Sequence, residues 1–177
     1  MKSPLSVLLV ALIVATSSCK KDNITQGGTN TIPLISATIN DDLVGRQTCY
    51  YTPKGVRYSG GVFSFNGNET FNPRTQAFGV ETISLNFKAA GTGTYLLSTT
   101  NYGVTFWRNN TTPYNPPPPN EFYSTDSTHT GSVTLTQFDT VNHIASGSFS
   151  FIGSESQPIK GENMDTVRNG SFSQLTW

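Results

Sequence analysis

From Pro33 onward, apolar and polar residues alternate with a period of two, the repeat of a strand that buries one face. Ile35, Ala37 and Ile39 alternate with Ser36, Thr38 and Asn40, and Asn40-Asp41-Asp42 turns the chain toward Leu43 and Val44. A second run covers Gln47 to Tyr51 and is ended by Pro53. Val62 to Phe65 leads to Asn66-Gly67, which predicts a hairpin turn because both residues tolerate positive φ. Glu81 to Phe87 has the clearest alternation, with Ile83, Leu85 and Phe87 on one face and Thr82, Ser84 and Asn86 on the other. Gly91-Thr92-Gly93 then turns the chain into Tyr95 to Ser98, and Tyr102 to Trp107 follows.

Arg108 to Glu121 interrupts the rhythm. Pro113 and Pro116 to Pro119 have no amide donors for a ladder, and four prolines in a row favour a stiff polyproline II segment, so a long surface loop is expected. Ser132 to Phe138 resumes the alternation, turns at Asp139-Thr140-Val141-Asn142 and returns as His143 to Ile152, with Gly147 as a candidate bulge. Gly153 to Asp165 reads as polar loop and Thr166 to Trp177 as a closing strand. The expected fold is therefore a single all-β domain over residues 33–177 with no crossover helix. We expect an antiparallel β-sandwich of about nine or ten strands, with a closed antiparallel β-barrel as the alternative.

The N-terminus has a different pattern. Lys2 precedes an apolar run from Leu5 to Ala15 that only Ser6 interrupts, and Thr16-Ser17-Ser18 leads into Cys19. This is the layout of a secretory signal, and the run falls short of the roughly 20 apolar residues that span a bilayer. A cysteine directly after small residues resembles the lipobox of bacterial lipoproteins, with Thr16 where the usual box has leucine. The resemblance implies removal of residues 1–18 and lipidation of Cys19 by a diacylglycerol thioether and an amide-linked acyl chain. Lys20-Lys21-Asp22 resembles the short signal that sends such lipoproteins to the outer face of the outer membrane. Residues 19–32 contain Gln26-Gly27-Gly28-Thr29-Asn30 and read as a flexible tether. Each buried methylene contributes about 0.8 kcal/mol, so two or three chains make attachment effectively permanent.

Charge narrows the partners. Lysine plus arginine and aspartate plus glutamate each total 11, and charged residues make up only 12% of the chain. No basic field exists to hold nucleic acid. Once Cys19 is lipidated, Cys49 is the remaining cysteine of two, so no internal disulfide can form. Cys49 lies between Thr48 and Tyr50 in a strand-like run and reads as a small buried apolar residue.

The stretches Gly131-Ser-Val-Thr-Leu-Thr-Gln-Phe-Asp139, Ser146-Gly-Ser-Phe-Ser-Phe151 and Asn169-Gly-Ser-Phe172 resemble an uncharacterised family of small surface lipoproteins of diderm gut-type bacteria. Ser36-Ala-Thr-Ile-Asn-Asp-Asp42 and Gly93-Thr-Tyr-Leu96 fit the same pattern. The resemblance implies an all-β fold and an outer-membrane setting, and it brings no catalytic residues.

Motifs for chemistry are sparse. His129 and His143 sit in Thr/Ser/Asn-rich surroundings without metal-ligand spacing and read as solvated turn or strand-end residues. There is no Gly-x-Ser-x-Gly elbow, phosphate loop or dinucleotide fingerprint. Glu155, Glu162 and Asp165 crowd one loop but lack calcium-loop spacing, so they read as solvated charges. No catalytic residue, metal or cofactor is assigned. The aromatic residues Trp107, Tyr114, Phe122 and Tyr123 bracket the proline-rich loop and form a candidate binding rim, since flat rings stack on sugars or anchor a partner chain. The expected function is that of a non-enzymatic, lipid-anchored surface protein binding a glycan or an envelope protein. A lipid-anchored hydrolase with a spatially assembled site and a structural subunit of a surface assembly stay open as alternatives.

Overall fold

The computed structural model describes residues 34–41, 45–71, 78–99, 105–111, 121–155 and 164–177. The signal segment, Cys19, the tether, Tyr114, the proline run and Glu162 lie outside the described residues. Ten strands follow in order: β1 Leu34–Asp41, β2 Gly45–Ser59, β3 Val62–Phe71, β4 Phe78–Lys88, β5 Gly93–Leu97, β6 Thr105–Thr111, β7 Glu121–Ser124, β8 Gly131–Asp139, β9 Ile144–Glu155 and β10 Met164–Thr176. The described residues contain no helix.

Every ladder among the described residues is antiparallel, and the strands form one curled sheet in the order β10-β1-β2-β3-β4-β6-β7-β9-β8-β5. Because β9 also pairs with β10, the hydrogen-bonded path returns to its starting strand. The expected all-β antiparallel architecture is the one found. The two facing apolar surfaces that a strand protein needs are opposite walls of the same curled sheet.

Local chemistry accounts for most strand boundaries. Gly60 and Gly61 join β2 to β3 with φ of 60° and 77°, a two-residue loop that needs both residues in the left-handed region. The hairpin expected at Asn66-Gly67 is absent, because β3 runs straight through it to Phe71. Gly67 is needed there for space. A Cβ on it would stand 2.8 Å from the Tyr51 Cβ and 3.0 Å from the Ile35 Cδ1. The Asp139 turn is found where expected, its Oδ1 accepting the amides of Val141 and Asn142 at 2.9 Å each. A register shift in the β8–β9 ladder lies between Leu135↔Gly147 and Gln137↔Ser146, so the extra residue is Thr136 on β8 beside Gly147.

The core is aromatic. Phe63 and Phe65 of β3 reach across the interior to β9 and β10, with the Phe65–Phe172 ring centroids 4.8 Å apart and Phe63–Trp177 5.3 Å apart. Phe138, Tyr58 and Trp177 close this end, and Phe138 stacks on Trp177 at 5.5 Å. These rings supply the burial that holds opposite walls together.

Candidate functional site

At another part of the interior, polar side chains take over. The inward row of β3 reads Phe63, Phe65, Gly67, Glu69, and that of β4 reads Phe87, Leu85, Ile83, Glu81. In the β3–β4 register, Glu69 stands directly opposite Glu81. Cys49 and Tyr51 come from the inward row of β2, the strand on the other side of β3. Cys49 is 0% exposed and Glu81 3%. One ligand atom from each of Cys49, Glu69 and Glu81 lies within 4.8 Å of the others. The Tyr51 hydroxyl donates to Glu81 Oε1. Burial, followed by the negative field of Glu81, pushes the Tyr51 phenol well above its ordinary value, so it remains a neutral donor.

This cluster was legible in part. Glu81 has the parity of Ile83, Leu85 and Phe87, so the strand that buries those three also turns a carboxylate inward. Glu69 has the parity of Phe63 and Phe65. Cys49 is buried as expected, but its surroundings are two carboxyl groups and a phenol.

A second polar cluster lies on the loop 125–130. The amides of His129 and Thr128 donate to Asp126 Oδ1 at 2.6 and 2.7 Å, and Ser154 Oγ donates to Asp126 Oδ2 at 2.6 Å. The His129 Nδ1 is 2.8 Å from the same Oδ2. The Ser154 bond, then those from His129 and Thr128, holds the Asp126 carboxyl far below the usual carboxylate range. Ser, His and Asp thus meet, but the aspartate sits between the other two. A nucleophilic triad needs the histidine in the middle to take the serine proton. The arrangement orders a loop.

The structure divides the predicted rim. Trp107 of β6 and Phe122 of β7 are opposite partners in one ladder. Phe122 is 40% exposed, whereas Tyr123 is 6% exposed and belongs to the core. Adjacent strand residues point to opposite faces, so Phe122 and Tyr123 cannot share a surface, and Tyr123 leaves the rim. The acidic group is corrected too. Asp165 lies in β10 and is buried, and Glu155 ends β9 half-buried, so neither is a solvated loop charge. His143 is exposed in its turn, with φ of 57°.

No curated protein and no solved structure matches the chain. A family model does match, over residues 64–176, which takes in Glu69, Glu81, Trp107 and Phe122 and leaves Cys49 and Tyr51 of β2 outside. With the match running from β3 through β10, the chain belongs to the family described as Domain of unknown function (DUF6252).

Proposed function

We propose that the protein is a non-enzymatic lipoprotein of the bacterial outer membrane, tethered through acyl chains on Cys19 and facing the cell surface, where it binds a glycan. Anchorage rests on the apolar run, the small residues and the cysteine that follows them. Binding rests on one observation: Trp107 and Phe122 are cross-strand partners at the two sides of the proline-rich segment. Cross-strand neighbours share a face, and a pair of flat aromatic side chains is the usual platform for a sugar ring. Ser124, two residues along the same face of β7, adds a hydroxyl group beside Phe122.

Two measurements test the two halves. Mass spectrometry of the mature chain finds acyl mass on Cys19, and Cys19→Ser moves the protein from the membrane fraction to the soluble one. Unmodified mature protein in the medium overturns the anchorage. Detergent-solubilised full chain is applied to an array of bacterial and host glycans, and Trp107→Ala with Phe122→Ala abolishes retention. Equal retention by the double variant, or retention of no glycan by the wild type, overturns the binding role and leaves an envelope protein as the partner to seek.

A further inference from the structure

Strands β2, β3 and β4 each contribute one metal-type donor to the same point in the interior. We propose that Cys49, Glu69 and Glu81 form a site for one divalent transition cation of the zinc class. Their sulfur and carboxylate oxygens already lie within 4.8 Å of one another.

Three observations of different kinds converge on this assignment. The donor set mixes one thiol with two carboxyl groups, which suits a borderline ion rather than calcium or magnesium with their all-oxygen shells. The donors are fixed by the sheet, since Glu69 and Glu81 are register partners and β2 pairs with β3. Electrostatics is the third. Two carboxylates facing each other in a low-dielectric interior repel strongly, and a dication between them turns that repulsion into attraction; on its other side Glu81 has Arg108 of β6 as its register partner. Tyr51 completes the arrangement from outside the donor set. Its hydroxyl donates to Glu81 Oε1 and holds that carboxylate in one orientation, as an outer-shell partner does. Uptake of the ion releases the Cys49 thiol proton and any proton the two carboxyl groups share, so binding strengthens as pH rises.

The test uses the full chain carrying Cys19→Ser, which leaves Cys49 as the remaining cysteine of two. After dialysis against Zn²⁺ and then metal-free buffer, elemental analysis and native mass spectrometry find one zinc per chain, which a chelator removes. Loading with Co²⁺ gives a thiolate-to-cobalt charge-transfer band in the near ultraviolet. Adding Cys49→Ser abolishes the band, and it or Glu69→Gln weakens zinc binding by about tenfold or more while far-ultraviolet circular dichroism stays unchanged. Zinc well below one per chain, cobalt without the thiolate band, or equal retention by the folded Cys49→Ser chain overturns the site. The last result means an adventitious ion only. A carboxyl pair that merely shares a proton gives no zinc retention and a melting temperature indifferent to zinc, which overturns it equally.

Discussion

Glu69 and Glu81 face each other directly across the β3–β4 ladder, inside the sheet's curl. Like charges so placed cost stability unless neutralised, and the Tyr51 phenol contributes a hydrogen bond to Glu81. In chelator near neutral pH, Glu69→Gln therefore leaves stability equal or raises it, since it removes the like charge opposite Glu81 and leaves Tyr51 its acceptor there. Tyr51→Phe lowers stability by about 1–3 kcal/mol, the cost of a buried polar group losing its partner. Urea denaturation of both variants checks the pair. A neutral Tyr51→Phe would mean the bond contributes nothing.

Alkaline pH acts on the same phenol. Its folded pKa lies well above the ordinary 10.0, so the native state keeps a proton that the unfolded chain loses. The unfolded state then binds fewer protons, and stability falls as pH rises above that ordinary value. Below it the contribution is fully present. Melting temperatures through this range drop more steeply for wild type than for Tyr51→Phe, and parallel curves would refute the assignment.

Gly67 leaves room for Tyr51 and Ile35 in the interior. Alanine at this position meets the Tyr51 side chain at 2.8 Å, and overpacking of this kind costs about 1–3 kcal/mol. Gly60→Ala, whose added Cβ meets nothing within 4 Å, acts only through its turn conformation, at about 1 kcal/mol. Calorimetry comparing the two separates packing from backbone strain. A smaller loss at Gly67 than at Gly60 contradicts the straight course of β3.

Trp177 closes the aromatic end against Phe138, Phe63 and Tyr58. Trp177→Ala removes these contacts at about 2–3 kcal/mol, below the full cost of a wholly buried ring because Trp177 is half-buried. Trp177→Phe recovers part of that loss. Chemical denaturation followed by circular dichroism gives both numbers, and an alanine variant as stable as wild type rules out a role for the last residue in the core.

Asp126 orders its loop through contacts that favour its charged form. A depressed folded pKa gives order that is present above the ordinary 3.8 and lost as pH falls below it. Asp126→Asn reproduces the acid state at neutral pH. Amide exchange at Thr128 and His129 speeds up in the variant while exchange in β8 and β9 stays unchanged; identical loop protection would refute the role.

Legibility followed the range of the interaction. The alternation around Ile83, Leu85 and Phe87 located a strand and its buried face, and Asp139 to Asn142 announced its turn through side chains that bond their own backbone. β7 went unread because four residues beside a proline run carry too little pattern. Asn66-Gly67 misled because the same glycine that suits a tight turn also suits a crowded interior. Asp165 read as solvated for want of any local sign that β10 begins before it.

The sequence by itself determined the class of fold and the inward rows of most strands, since these depend on neighbours two residues apart. Only the tertiary structure decided that β4 pairs with β6 rather than β5, that Trp107 is the ladder partner of Phe122 while Tyr123 turns inward, and that Glu69 faces Glu81 next to Cys49. Register between strands is set by how whole faces pack around the shared core, and no residue's local preference encodes the partner it will meet there.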